Sequence, residues 1–148
     1  MGGRPERRGV ILVTRRYRFP AAHVLRSGNL SDADNARVYG KCANPAGHGH
    51  DYGLEVTLGG PLDAETGVVF PIDRLDALVG ERVLARLSHR LLNDDPWFAD
   101  TVPTAEEIAL AIERELREAV SAESSARVVR VRLLETRRNF FACGEMAG

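Results

Sequence analysis

The chain has 148 residues, with 20 Lys or Arg and 21 Asp or Glu, so its formal net charge is −1. This length corresponds to one domain, and the near-neutral charge argues against a protein that binds DNA by neutralising many phosphates. The apolar runs are shorter than the ~20 residues that span a bilayer, so we expect no transmembrane helix. The two cysteines are too few for a disulfide framework and fit the reducing cytoplasm.

The first half of the chain predicts two strands separated by a long loop. Residues 1–8 are polar and lack the apolar stretch of a secretory signal, so we expect a disordered tail before a single domain at residues 9–148. Residues 9–25 begin apolar and then alternate, as a half-buried strand does. Residues 26–47 are rich in Gly, Asn and Asp and predict a loop whose length suggests that it builds a site. Residues 48–58 alternate again and predict the clearest strand.

The second half predicts two helices followed by two strands. Leucine and valine recur at helical spacing within residues 73–87. Thr104 precedes a second helix, because Thr-Ala-Glu-Glu has the spacing of a capping box. Residues 129–135 and about 139–143 predict the last strands. The order β-β-α-α-β-β predicts an α+β fold, with a four-stranded antiparallel sheet covered on one face by two helices. The edges of such an open sheet are often closed by oligomerisation.

Three of the four histidines fall where they could bind one metal ion. His48 and His50 are two residues apart on a predicted strand, so both imidazoles project from the same face. If the first two strands pair as a hairpin, His23 joins them. Three neutral imidazoles leave one coordination position open, as in catalytic zinc sites. An isolated His-x-His pair is often only structural, but three inward-facing histidines beside a long loop favour ligation.

The two cysteines have different predicted roles. Cys42 lies in the polar loop six residues before His48, next to Lys41. A metal or a cationic neighbour would lower the pKa of this thiol and make it a base or nucleophile. The alternative is a small buried hydrophobe, which the polar loop disfavours. Cys143, on the last predicted strand, is interpreted as structural.

Two further residues are candidates for chemistry. His89 follows the first predicted helix, where it could bind helix carbonyls or act as a general acid or base. Glu135 lies in register with buried apolar residues of the third strand, and a buried carboxylate needs a partner. That partner could be a planar ligand with adjacent N–H donors, or an arginine such as Arg137.

Six collinear motifs together resemble the 6-pyruvoyl-tetrahydropterin synthase family, which includes 6-carboxytetrahydropterin synthase. The motifs are FPAAH (19–23), YGKCANPAGHGHDY (39–52), LDAETGVVFPIDRL (62–75), LSHRLLND (87–94), PWFADTVPTAEEIA (96–109) and LLETRRNFF (133–141). They extend over nearly the whole chain from residue 10. As a set they are highly specific, whereas GHGH alone would not be.

The resemblance implies the tunnelling fold, in which sheets associate into barrels, two trimers stack as a homohexamer and active sites lie between subunits. It implies zinc bound by His23, His48 and His50, with Cys42 and His89 as catalytic residues. Glu135 would anchor the pterin ring, with Thr104 in the neighbouring part of the pocket. The implied substrate is 7,8-dihydroneopterin triphosphate, which loses triphosphate and undergoes an internal redox shift. The resemblance implies no nucleic-acid or membrane partner.

One residue departs from the family pattern. Ser88 stands where the family usually has an aspartate that orients the catalytic histidine, so we expect a weakened or altered proton relay. Five residues separate Cys42 from His48, which resembles the pyruvoyl-forming members. The alternatives are a carboxy-forming enzyme that releases acetaldehyde on the queuosine or 7-deazapurine route, a lyase that cleaves the dihydroneopterin side chain, and a non-catalytic pterin-binding homologue.

Overall fold

A computed structural model describes residues 11–145, and the tail expected at residues 1–8 lies outside them. Within the described residues, four strands form one antiparallel sheet in the order β1-β2-β3-β4. The strands are β1 (Ile11–His23), β2 (His48–Gly60), β3 (Arg127–Leu134) and β4 (Phe140–Gly144). The predicted α+β class and the predicted order of the long elements are confirmed.

The first two strands form the hairpin that the metal hypothesis requires. They pair along their whole length, from Ile11 opposite Gly60 to His23 opposite His48. The alternating apolar residues face the helices, and the rings of Phe19 and Tyr52 stack at 5.2 Å between centroids. The histidine-bearing ends of both strands therefore lie side by side.

Two helical segments cover one face of the sheet. The first begins with α2 (Ile72–Val79), passes through a π-helical turn (Gly80–Leu84) and ends with α3 (Ala85–Leu87). The second is α4 (Ala105–Ser121), whose N-cap Thr104 accepts a hydrogen bond from the backbone N–H of Glu107 at 3.2 Å. Both helices bury apolar residues that recur at helical spacing: Leu75, Leu78, Val79, Val83, Leu87, Ile108, Ile112, Leu116 and Val120.

The prediction of a continuous loop at residues 26–47 is wrong in its central part. A short helix, α1 (Asp32–Tyr39), is followed by a 3-10 turn (Gly40–Ala43). Ser31 accepts a hydrogen bond from the backbone N–H of Asp34 at 3.1 Å and so caps α1. The buried amide of Asn35 donates to the carbonyls of Ser27, Leu30 and Ser31, which ties the polar helix to the chain before it.

The segment at residues 88–91 lies along the outer edge of β1. The backbone N–H of His89 donates to the Pro20 carbonyl at 2.6 Å, and the N–H of Ala22 donates to the Arg90 carbonyl at 2.9 Å. His89 has a φ of 60°, which is uncommon for a residue other than glycine. Among the helices of residues 11–145, none combines the length and apolar character needed to cross a bilayer.

Candidate metal centre

The three histidines predicted to bind a metal lie together at the end of the β1–β2 pair where residues 24–47 connect the two strands. His23 and His48 are direct cross-strand partners, and His50 follows on β2. The ring centroids of His23 and His50 are 5.0 Å apart, and those of His48 and His50 are 4.5 Å apart. The hairpin therefore gathers all three imidazoles on one face.

The orientation of His23 is set by two groups that the sequence analysis did not single out. Its Nδ1 lies 2.9 Å from the carbonyl oxygen of Pro103 and 3.2 Å from the hydroxyl of Tyr52. A carbonyl only accepts hydrogen bonds, so Nδ1 carries the proton and Nε2 keeps its lone pair. Metal-binding histidines are commonly oriented in this way by a backbone carbonyl. Tyr52 could have been found from its position two residues after His50 on the same face.

Two buried nitrogens at this site have no hydrogen-bond partner among the described residues. They are Nε2 of His23 and Nε2 of His50. Burial lowers the pKa of both imidazoles, and the neighbouring His48 lowers that of His50 further. The neutral imidazole that burial favours is the form that binds metal ions. Buried polar atoms without a partner are costly, and a metal ion bound by both nitrogens would satisfy them.

The third donor atom at this point belongs to Cys42. The ligand atoms of His23, Cys42 and His50 all lie within 4.8 Å of one another, and His48 is not part of this group. The backbone N–H of Leu25 donates to the Cys42 carbonyl at 2.7 Å and so ties the 3-10 turn to the end of β1. Nitrogen and sulfur donors in this arrangement fit zinc, which binds both types of ligand in tetrahedral sites.

The electrostatics of Cys42 differ from the expectation. Burial, and secondarily the charge of Glu135, raise the pKa of this thiol. The expected lowering by Lys41 is therefore wrong for the protein without a metal, because burial of the thiol, and then the negative charge of Glu135, both act to raise its pKa. Cys143 is half-buried against the core, as predicted for a structural cysteine, and burial together with Glu113 raises its pKa to about 12.

Glu135 lies just beyond β3 and borders both the metal centre and a cavity. One of its carboxylate oxygens is 3.9 Å from His50 Nε2, and its side chain is only 13% exposed. Burial raises the pKa of Glu135, and the nearby His23 opposes this. Glu135 and His50 also line a cavity of about 800 Å³, which is large enough for a small heterocycle. Among the described residues, the basic side chain within 4 Å of the Glu135 carboxylate is therefore the imidazole of His50 and not the guanidinium of Arg137.

Comparison with known proteins decides the family. The model of the family described as 6-pyruvoyl tetrahydropterin synthase matches residues 12–145. The chain belongs to the 6-pyruvoyl tetrahydropterin synthase family. A 6-pyruvoyl tetrahydrobiopterin synthase from Poecilia reticulata is 39% identical over 138 residues, which are 93% of this chain and 92% of that protein. The enzyme of that name from Homo sapiens is 44% identical over 101 residues, which are 68% of this chain and 70% of that protein.

Solved structures of the family agree with the fold. The 6-pyruvoyl tetrahydropterin synthase of Caenorhabditis elegans superimposes with a TM-score of 0.84 at 34% identity, covering 93% of this chain and 97% of that chain. The enzyme of Plasmodium falciparum superimposes with a TM-score of 0.64 at 16% identity, covering 90% and 96% of the two chains. At that low identity the second likeness concerns the fold alone.

The remaining site residues expected from the 6-pyruvoyl tetrahydropterin synthase family lie around this centre at different depths. Thr104 is half-buried, adjoins Pro103 and caps α4. Ser88 is half-buried where α3 ends, and His89 is exposed beside β1. His89 and His50 line a second cavity of about 500 Å³ on that edge. The structure thus brings His23, Cys42 and His50 together within one chain, and places His89 on the surface nearby.

Proposed function

We propose that this protein is a zinc-dependent lyase of the 6-pyruvoyl-tetrahydropterin synthase type that acts on 7,8-dihydroneopterin triphosphate in the cytoplasm. The observation that carries the proposal is the pair of buried, unpartnered Nε2 atoms of His23 and His50 beside the Cys42 thiol. The curated relatives named as 6-pyruvoyl tetrahydrobiopterin synthases support the substrate class.

The histidines hold the metal in this proposal. His23 and His50 present Nε2, and His48, whose ring packs edge-on against that of His50, provides the third imidazole. Zinc held by these residues would polarise the hydroxyl oxygens of a substrate side chain and acidify the adjacent C–H bond. Glu135 orients the pterin ring, because two carboxylate oxygens can accept parallel hydrogen bonds from adjacent N–H groups.

Cys42 and His89 move protons between carbon atoms of the substrate side chain while triphosphate leaves. The reaction needs no external oxidant, since the side chain is oxidised at one position while the pterin ring is reduced. His89 is exposed on the outer edge of β1, so we propose that it serves a site formed with another copy in a homohexameric barrel. Ser88 cannot supply the negative charge that would stabilise a protonated His89.

Ser88 favours a second candidate, in which the altered proton relay changes the product. Such an enzyme would release acetaldehyde and form the 6-carboxy product, or cleave the side chain of dihydroneopterin. All of these candidates use the same metal centre and the same pterin pocket. They differ only in which bond of the side chain breaks.

Product analysis with one defined substrate tests the proposal. Zinc-loaded protein is incubated with 7,8-dihydroneopterin triphosphate, and mass spectrometry identifies the pterin while released triphosphate and acetaldehyde are measured. We expect 6-pyruvoyl-tetrahydropterin and triphosphate. Cys42→Ala should abolish turnover, and Cys143→Ala should retain it because Cys143 lies away from the metal centre. Acetaldehyde together with a 6-carboxy pterin, in place of 6-pyruvoyl-tetrahydropterin, would select the carboxy-forming alternative, and no product of any kind would refute the lyase.

A further inference from the structure

The sulfur of Cys42 lies close enough to the candidate metal-binding nitrogens to bind the same metal ion. This Sγ is within 4.8 Å of the ligand nitrogens of both His23 and His50. Donor atoms around a tetrahedral zinc ion are about 3.5 Å apart, so a closure of about 1 Å would bring the thiol into bonding distance. We propose that Cys42 binds the metal as a fourth ligand before substrate arrives, and that a substrate oxygen displaces it. This inference rests on the zinc site of the proposed function.

The chain is built to hold the thiol at this point. The N–H of Leu25 binds the Cys42 carbonyl, and Leu25, which is buried, follows His23 by two residues. The 3-10 turn that carries Cys42 is thereby tied to the same strand end as a metal ligand. Lys41, which precedes Cys42, and Asn44, which follows the 3-10 turn, are exposed, so the side chains on both sides of the thiol leave room for a small displacement.

The donor atoms beside Cys42 also favour a metal-bound sulfur. Cys42 is half-buried, and its Sγ lies beside the buried Nε2 atoms of His23 and His50, which have no hydrogen-bond partner among the described residues. Metal binding compensates the negative sulfur, and the thiol proton passes to solvent as the sulfur–metal bond forms. When a hydroxyl oxygen of the substrate takes this position, the sulfur–metal bond breaks. The released thiolate then lies within the site as a base that can accept a proton from the substrate.

This arrangement would couple the activation of Cys42 to substrate binding. A thiolate held by the metal is protected from alkylation and oxidation, because its lone pairs are engaged. The base would be generated only when a hydroxyl-bearing ligand occupies the metal. In a three-histidine site with an open position, as expected from the sequence, the thiol would lie beside the metal without a sulfur–metal bond.

X-ray absorption spectroscopy of the zinc-loaded protein tests the inference directly. Zinc–sulfur bonds are about 2.3 Å long and zinc–nitrogen bonds about 2.0–2.1 Å, so one sulfur ligand is distinguishable. We expect one sulfur scatterer in the wild type and in the matched control Cys143→Ala, and none in Cys42→Ser. Saturating 7,8-dihydroneopterin, which lacks the leaving triphosphate, should remove the sulfur contribution from the wild type.

The possible outcomes separate this inference from the proposed function. Zinc bound by nitrogen and oxygen alone in the wild type, as in Cys42→Ser, would overturn the inference and leave the lyase intact. A sulfur contribution unchanged by saturating 7,8-dihydroneopterin would overturn the displacement. Failure of the wild type to bind zinc at all would refute both.

Discussion

The hydroxyl of Tyr52 provides a sharp test of how the metal centre is held. Tyr52 is fully buried, its ring stacks on Phe19, and its hydroxyl lies 3.2 Å from Nδ1 of His23. Tyr52→Phe removes this oxygen and keeps the shape of the ring. Loss of one hydrogen bond of this kind costs about 0.5–1.5 kcal/mol of folding free energy. Mutation of groups that orient a metal-binding histidine typically weakens metal binding about 10–100-fold.

We expect an effect near the lower end of that range. The Pro103 carbonyl remains 2.9 Å from Nδ1 in the variant and continues to hold the tautomer. Zinc affinity should therefore fall about tenfold, which is about 1.4 kcal/mol. Competition with a chromophoric chelator measures this affinity on purified protein. The assay reports binding only, so it separates the orientation of His23 from any effect on turnover.

A second tyrosine offers a matched control. The hydroxyl of Tyr17 donates to Asp76 at 2.7 Å on the far part of β1. Tyr17→Phe should reduce the free energy of unfolding by a similar amount and leave zinc affinity unchanged. If Tyr52→Phe and Tyr17→Phe bind zinc equally well, the hydroxyl of Tyr52 does not help to position His23 and the reasoning is wrong.

Three further predictions concern the relay, the sheet and the pH dependence of stability. Ser88→Asp should raise turnover of 7,8-dihydroneopterin triphosphate about tenfold by stabilising the charged form of the next histidine; an unchanged rate and product would contradict this. Gly144→Ala should lower the melting temperature by several degrees, since its φ is 130° and a Cβ would lie 2.2 Å from a β3 carbonyl oxygen. Gly28→Ala is the control: its added Cβ would have no heavy atom within 4 Å, so the melting temperature should stay unchanged. The hydrogen bonds from the guanidinium of Arg15 lower the pKa of Asp76, so this carboxylate stabilises the fold above the ordinary aspartate pKa and less as pH falls through the lowered value. In urea unfolding, the wild type should therefore have a higher free energy of unfolding than Asp76→Asn at pH 7, and the difference should shrink below about pH 4. A difference that does not change with pH would refute this.

The long elements of the fold were predictable because their burial repeats with the period of their secondary structure. Burial alternates along β1 and β2 and recurs at helical spacing along α4, as the apolar residues of the sequence predict. α1 was missed because its side chains are mostly polar. It is held instead by the Ser31 cap and the buried amide of Asn35, and neither gives an apolar periodicity.

The site was predictable in its membership and not in its details. The pairing of the first two strands follows from their patterns, so the meeting of His23, His48 and His50 could be foreseen. The contact of Pro103 with His23 joins residues 80 positions apart, so no local sequence pattern could predict it. The raised pKa of Cys42 likewise depends first on burial and then on Glu135, both of which result from chain segments that are distant in sequence.

The segment at residues 88–91 has a consequence for how copies of this chain can pair. It engages the backbone of β1 at Pro20 and Ala22, so the hydrogen-bonding groups there are already used. A strand from another molecule that extends the sheet at β1 is therefore limited to residues 11–19. The segment acts as a stop that sets where an added strand ends, and it shields the strand end that carries the metal ligand His23 from edge-to-edge aggregation.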